Sequence, residues 1–398
     1  MARTRARDKN QTLDRLESAD EAVESGTAAQ ASQVERELRE AVMACERVLP
    51  GHGFFRLRDE LAWLVEEAGA DEEADRYGEG ALIEDFEREV AGLLGKEAAV
   101  FMPSGTMAQQ IALRIWAERR GRATVAFHPT CHLELHEQKG YQALHGLRAA
   151  LVGEAHRVVT LADLRALGEP VAALLLELPL REIGGQLPEW DDLCAQAAWA
   201  RERGVALHMD GAQLWEAAPY YDRPYAEVAA LFDSVYVSFY KGVGGIAGAV
   251  LAGPGDFIAE ARVWQRRHGG NLIRLYPYVL AARKGLRERL GRFPAYHARA
   301  LGVARALASV PGVRMKPNPP QTHMMHVYLR GDRERLLAGA LDVARTERVA
   351  LFGGLRPTDV PDTWFFELAI GDAAAQLSDD EIARFFSRIL AEGGMAGG

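Results

Sequence analysis

Two residues that could do acid–base and covalent chemistry, Asp210 and Lys241, each follow a short apolar segment. Asp210 ends the run VALHMD, which begins at Val205 and is followed by Gly211. A short apolar run that stops at a glycine is typical of a buried strand. Lys241 follows SVYVSFY, whose β-branched and aromatic residues favour a second strand. We therefore expect the acid and the lysine just past the ends of two core strands.

The lysine is followed by Gly242, Gly244, Gly245 and Gly248, which allow close backbone approach and unusual dihedral angles. A lysine amine can form a Schiff base with the aldehyde of pyridoxal 5'-phosphate (PLP). A carboxylate near the pyridine nitrogen keeps that nitrogen protonated, so that the ring accepts electrons. The pair therefore predicts a PLP site. The alternative is a surface lysine in a glycine-rich loop and an acid that caps a helix.

Four segments give the chain a family resemblance, which covers about residues 77–274. They are HMDGAQLWEAA, DSVYVSFYKGVGGIAGAVLAG, DRYGEGALIEDFEREVAGLLGKEAAVFMPSGTMAQQIAL and CHLELHEQKG. The chain resembles the threonine aldolase and β-eliminating lyase group, whose pattern is H-x-D-G-A-R and then S-K-G-L-G before a strand of small residues. The resemblance implies PLP fold type I, an aspartate aminotransferase-like α/β fold. Its large domain has a mainly parallel sheet, and a smaller α/β domain follows at the C-terminal end.

The resemblance implies catalytic roles for Lys241, Asp210 and His132. Lys241 would carry the cofactor, Asp210 would hold the ring proton, and His132 would stack on the ring, with Glu137 five residues later. His128 and His136 lie close in sequence, so the choice of histidine stays open. Their fourfold spacing also leaves a metal site as an alternative, although the family role of His132 makes us expect no metal.

The segment Ser104-Gly105-Thr106 follows the strand-like run EAAVFMP and opens a helix. Free backbone N–H groups and a hydroxyl at a helix N-terminus form an anion site. A simple Ser N-cap would also explain the segment, but the family pattern favours binding of the cofactor phosphate. The resemblance implies a second phosphate ligand across a subunit interface, for which Arg274 is the best match and Arg267 the alternative.

Several positions depart from the family pattern. Gln213, which we place among the cofactor-site residues, stands where threonine aldolases have the arginine that grips the substrate carboxylate. A second family arginine is not evident in TWFFELAIGD, and Leu178 and Pro179 replace the usual Asn-Thr. We expect one of two outcomes. Either an arginine outside the motif, such as Arg356, binds the substrate carboxylate, or the substrate is not simple threonine.

Composition excludes several classes of protein. The chain has 398 residues, 48% hydrophobic and 26% charged, with a net charge of −9, so nothing suggests a nucleic-acid partner. No apolar run approaches the roughly 20 residues that span a bilayer. The three cysteines, Cys45, Cys131 and Cys194, form no CxxC pair. A disulfide framework is therefore not expected, and a reducing cytoplasm fits.

The chain divides into four predicted parts. Ser32 and Glu35 form a candidate capping box that starts an amphipathic helix, which Pro50 stops. Strands alternate with helices in the middle of the chain, which indicates a doubly wound parallel sheet. The predicted parts are a flexible N-terminal arm (1–30), an N-terminal helical segment (31–75), a large PLP-binding domain (76–285) and a small C-terminal domain (286–398).

The function implied by the resemblance is that of a PLP-dependent aldolase. It would cleave a β-hydroxy-α-amino acid to glycine and an aldehyde, or form it from them. His132 or a bound water would take the β-hydroxyl proton. The alternatives are a related β-eliminating lyase, transaldolase or racemase, and a non-catalytic PLP-binding protein. Family sites lie at a subunit interface, so a homodimer or homotetramer is expected.

Overall fold

The computed structural model describes residues 32–53 and 56–393, so the predicted arm lies outside the described residues. The helices are α1 (Gln33–Met43), α2 (Leu57–Glu67), α3 (Ala81–Leu93), α4 (Gly105–Arg120), α5 (His132–Leu135), α6 (Gly140–His145), α7 (Leu161–Arg165), α8 (Trp190–Glu202), α9 (Ala218–Tyr221), α10 (Tyr225–Ala229), α11 (Gly255–Arg267), α12 (Tyr276–Arg289), α13 (Phe293–Ala308), α14 (Arg333–Glu347) and α15 (Asp379–Glu392). The strands are β1 (Arg47–Val48), β2 (Ala98–Met102), β3 (Thr124–Phe127), β4 (Arg148–Leu151), β5 (Ala173–Glu177), β6 (Ala206–Gly211), β7 (Ser234–Ser238), β8 (Ala249–Gly253), β9 (Val313–Lys316), β10 (Met324–Arg330), β11 (Val349–Ala350), β12 (Arg356–Pro357) and β13 (Thr363–Ala369).

A seven-stranded sheet in the order β2-β8-β7-β6-β5-β3-β4 forms the centre of the larger unit. β8 runs antiparallel to both of its neighbours, and the other neighbouring pairs are parallel. The register aligns Glu177 of β5 with Asp210 of β6, and Asp210 with Tyr236 of β7. The carboxyl ends of these three strands therefore meet at one edge, where ligands bind in open α/β sheets.

Apolar side chains alternate between the two faces of this sheet. Along β2, Ala99 and Phe101 belong to one buried cluster, and Val100 and Met102 to another. This alternation is what a strand buried on both faces produces. Phe101 lies 6.0 Å from Phe86 of α3, ring to ring. Full burial of such a side chain stabilises the fold by roughly 1.5–3 kcal/mol. Because each face of the sheet has its own apolar cluster, the sheet is packed between two helical layers.

The smaller unit has a four-stranded antiparallel sheet in the order β12-β13-β10-β9. Met325 and Val327 of β10 point into an apolar cluster with the helices, which includes Phe385 and Phe386 of α15. Met324 lies on the opposite face, and its sulfur is 3.8 Å from Gln213 Nε2 of the larger unit. This second face of the small sheet therefore borders the large sheet's functional edge.

The first described helix is shorter than the sequence predicts. Ser32 caps α1 by accepting from Glu35 N–H at 3.2 Å, but the helix ends at Met43 and the predicted continuation to Pro50 is wrong. The physical reason is strand pairing, because Arg47–Val48 runs parallel to Val349–Ala350. The backbone hydrogen bonds of this pair take the chain out of helical geometry.

Within residues 32–53 and 56–393, no helix is both long and apolar enough to cross a bilayer.

Candidate active site

Asp210, one of the acids at the sheet edge, is only 2% exposed. Its Oδ1 accepts from Ala212 N–H at 3.0 Å, and its Oδ2 accepts from Gln109 Nε2 at 2.6 Å. Burial raises the pKa of the Asp210 carboxyl, whereas the charge of Lys241 and these two donors lower it. Asp210 and Lys241 thus act on each other electrostatically at one edge of the sheet.

A second buried carboxyl, Glu177, lies beside Asp210 at the end of the neighbouring strand. Its Oε1 accepts from Arg181 N–H at 3.1 Å, and its Oε2 has no hydrogen-bond partner among the described residues. Burial, and then the charge of Asp210, raise the pKa of Glu177 to about 8. The two neighbouring carboxyls therefore disfavour each other's charge, and Asp210, which accepts two hydrogen bonds against one for Glu177, is the better stabilised as a carboxylate.

His132 begins the short helix α5, and its Nδ1 lies 2.9 Å from Glu137 Oε1. Glu137 is buried, and its Oε2 accepts from Gln110 Nε2 at 3.3 Å. The consecutive residues Gln109 and Gln110 of α4 therefore orient Asp210 and Glu137, respectively. Sequence reasoning missed this pair, although GTMAQQ places two amides one turn into the helix that follows the predicted phosphate segment.

The other two histidines of the predicted cluster have different partners. His128 Nε2 lies 2.9 Å from two backbone carbonyl oxygens, those of Glu154 and Arg157. His136 Nε2 lies 2.8 Å from Glu182 Oε1, and its ring centroid is 5.0 Å from that of His132. In the part of the chain that the structure describes, no three His, Cys, Asp or Glu side chains could jointly hold a metal ion.

The segment predicted to bind phosphate forms the start of α4. Ser104 caps the helix by accepting from Met107 N–H at 3.3 Å. A Cβ on Gly105 would overlap the phenol oxygen of Tyr236, so only glycine fits there. That oxygen lies 3.2 Å from Tyr240 OH, and Tyr240 stands where the family pattern has serine. Two phenol groups and a helix N-terminus, with Thr106 half-buried in its first turn, thus meet in one polar corner.

The loop that carries Lys241 is held by residues from three other parts of the chain. Glu216 Oε1 accepts from Gly242 N–H at 3.1 Å, and His52 Nε2 donates to Gly242 O at 2.8 Å. Arg289, at the end of α12, donates to the next carbonyl along the loop at 2.9 Å. The lysine is half-buried. These contacts fix the backbone on which its amine is mounted.

The remaining predicted residues are Gln213 and the two arginines. Gln213 is buried beside Met324. Arg274 is exposed, and its Nη1 donates to Asp75 O at 2.6 Å. Arg267 lies 4.4 Å from the centroid of the Trp264 ring. Within the described part of one chain, neither arginine forms a hydrogen bond or ion pair with the residues around Lys241.

The residues present fit PLP on several structural grounds. A lysine and a buried, charged acid occupy the same strand edge, and the His132 ring is 35% exposed toward solvent. The start of α4 offers backbone N–H groups beside a glycine that tolerates no side chain. Buried oxygens of Gln109 and Glu177 have no hydrogen-bond partner in the described chain.

Comparison with known proteins agrees with this geometry. A solved structure from Listeria monocytogenes, provisionally assigned as an L-allo-threonine aldolase, is 42% identical, with a TM-score of 0.86, and the match covers 90% of this chain and 99% of that one. The low-specificity L-threonine aldolase 1 of Arabidopsis thaliana is 28% identical over 282 residues, which are 68% of this chain and 78% of that protein. The serine palmitoyltransferase of Sphingomonas wittichii is 15% identical, covers 87% and 86% of the two chains with a TM-score of 0.61, and shares the fold alone.

These similarities confirm the predicted PLP fold type I. The family model described as "Beta-eliminating lyase" matches residues 63–330, which is more than half of the chain. The strand-edge residues and the match together lead to one conclusion: the chain belongs to the β-eliminating lyase family.

Proposed function

We propose that this chain is a PLP-dependent aldolase that cleaves a β-hydroxy-α-amino acid to glycine and an aldehyde, or forms it from them. The observation that carries the proposal is the meeting of Lys241 and the buried charge of Asp210 at one strand edge, beside His132. The threonine aldolases among its relatives support the same reaction class.

In this proposal Lys241 binds the cofactor aldehyde, and Asp210 holds the proton on the ring nitrogen. The bound cofactor would supply a protonated, conjugated ring that takes up the electron pair left when Cα–Cβ breaks. The polar corner of Ser104, Gly105 and Thr106 would hold the phosphate, with Tyr240 beside it.

His132 is the proposed base for the β-hydroxyl group. Its Nδ1–H donates to Glu137, so its Nε2 is the basic nitrogen that can accept the hydroxyl proton. Gln110 orients Glu137 in turn, which keeps the imidazole in this tautomer.

The substrate carboxylate needs a partner that the family motif does not supply. Gln213 carries no charge, and Arg356 is exposed on the short edge strand β12. We propose that the substrate is not simple threonine, and that an arginine outside the motif holds its carboxylate.

We further propose a homodimer or homotetramer in the cytoplasm. Apolar side chains are exposed around Arg274, among them Tyr77, Ile273 (52% exposed) and Tyr276. Exposed apolar groups that lie together indicate an interface, and such an interface would bring Arg274 to the phosphate of the neighbouring subunit.

Borohydride reduction of the PLP-loaded protein should attach the cofactor covalently to Lys241, because a lysine imine is reducible to a stable amine. Peptide mapping by mass spectrometry reads the site. Lys241→Arg should abolish the label, and Lys316→Arg should leave it unchanged. A label on another lysine would contradict the assignment.

Asp210→Asn should still bind PLP but lose roughly 100-fold or more in kcat, because a carboxamide does not stabilise the ring proton. Steady-state aldehyde release measures the loss. Glu177→Gln is the matched control, since Glu177 is the buried carboxyl beside Asp210 on the neighbouring strand and has no proposed contact with the ring nitrogen. Near-normal turnover by Asp210→Asn would count against its role.

Sedimentation velocity at micromolar concentration should show at least a dimer. Ile273→Asp places a charge in the exposed apolar surface and should shift the protein toward monomers with lower activity. Val360→Asp is the control, because Val360 is 60% exposed on the small unit, away from Arg274. An active wild-type monomer would disprove the interface.

L-threonine should be cleaved slowly relative to the best compound in a panel of L-threonine, L-allo-threonine, their D-forms and β-phenylserine, read by aldehyde release. The reason is that Gln213 replaces the motif arginine with an uncharged amide, so binding depends more on the rest of the substrate, and the side chain of L-threonine is small. Cleavage of L-threonine as fast as that of the best compound in the panel would contradict this prediction.

A further inference from the structure

The proposed reaction requires a cation for the substrate carboxylate, and the structure points to one that the sequence does not reveal. We infer that Arg181, oriented by Glu367, binds the α-carboxylate of the substrate. This inference rests on the proposed aldolase function and specifies its substrate class, namely α-amino acids whose carboxylate is free rather than esterified or amidated.

Arg181 leaves the same strand edge that carries the acids of the site. It lies four residues after Glu177, and its backbone N–H donates to the Glu177 carboxylate at 3.1 Å. Glu177 is aligned with Asp210 in the sheet, and the charge of Lys241 lowers the pKa of both carboxyls. The Arg181 backbone therefore contacts the strand edge at the acid next to Asp210.

The small unit orients this side chain. Glu367 lies on β13, opposite His326, and alternates with Phe366 and Leu368, which are buried among the helices. Glu367 consequently points to the other face of the sheet, toward the large unit. Its Oε2 lies 2.8 Å from Arg181 Nε, so the ion pair joins the small unit to the large unit.

The ion pair leaves one edge of the guanidinium for a ligand. Glu367 takes Nε, and the nearest other carboxylate is that of Glu182, 3.5 Å from Nη1. Glu182 is itself engaged by His136 at 2.8 Å. Among the described residues Nη2 has no hydrogen-bond partner, so the Nη1–Nη2 edge matches the two oxygens of a carboxylate.

Space and charge agree with this role. A groove of about 380 Å³ runs along Arg181 and Glu367 and is also lined by Arg356 and by the backbone of Gly353 and Gly354. With Arg39 and Glu35 at its far end, the groove has three cations and two carboxylates. A carboxylate that enters a partly buried site needs such a cation, because its desolvation is costly without one.

The structure favours Arg181 over Arg356 for this task. Both residues of β12 are exposed, and although the strand pairs with β13, the Arg356 side chain makes no hydrogen bond or ion pair with the described residues. Arg181 is only 25% exposed and is fixed by Glu367. A fixed guanidinium loses less side-chain freedom on binding than an exposed one. Arg356 therefore provides a matched control on the same groove.

The experiment compares glycine with glycinamide as ligands of the PLP-loaded protein, read by the change in cofactor absorbance. The two ligands differ in the carboxylate, and their ratio of affinities cancels any loss of cofactor that a variant causes. Arg181→Gln should reduce the preference for glycine roughly 10- to 100-fold, as expected for loss of a charge-assisted pair. Arg181→Lys should restore part of it, and Arg356→Gln should leave it within about threefold.

An unchanged preference in Arg181→Gln would overturn the inference while leaving the aldolase proposal intact. If that variant does not retain PLP, Glu367→Gln provides the second test, because it keeps the arginine and removes only its orienting partner. The preference should then fall several-fold, and an unchanged preference would overturn the orienting role. A wild-type protein that binds PLP but responds to neither ligand would contradict the proposed function itself.

Discussion

The burial of the Asp210 carboxylate is the constraint on which the rest of the site depends. A charged carboxylate without partners is costly in a protein interior. Ala212 N–H, the Gln109 amide and the charge of Lys241 offset this cost, and they come from three different elements. Helix α4 and the lysine loop must therefore both be in place before the strand edge can hold its charge.

Residues within the recurring motifs were predictable from the sequence, whereas their supporting partners were not. The strands that end near Asp210 and Lys241 follow from apolar runs and β-branched residues. Gln109, His52 and Glu216 act through hydrogen bonds to residues distant in the chain, and no local pattern indicates such pairs. The same reason explains the wrong prediction for the end of α1, because β1, which follows that helix, pairs with β11, a strand that comes after α14 in the sequence.

The site is shared between the two units of the fold. Met324 contacts Gln213, and Glu367 pairs with Arg181, so each contact joins the small sheet to a loop at the large sheet's edge. The family motif lies almost entirely in the large unit. The chemistry proposed for Lys241 and Asp210 therefore follows from the motif, whereas the contact proposed for the substrate carboxylate lies outside it.

The hydrogen bonds that hold the Gly242 loop have a consequence for cofactor binding. Its contacts with His52, Glu216 and Arg289 are all made by the polypeptide itself. The ordering of this loop is therefore achieved when the chain folds, and cofactor binding does not have to provide the free energy for it. A cofactor held by Lys241 in the proposed way would therefore meet a loop whose backbone is already positioned.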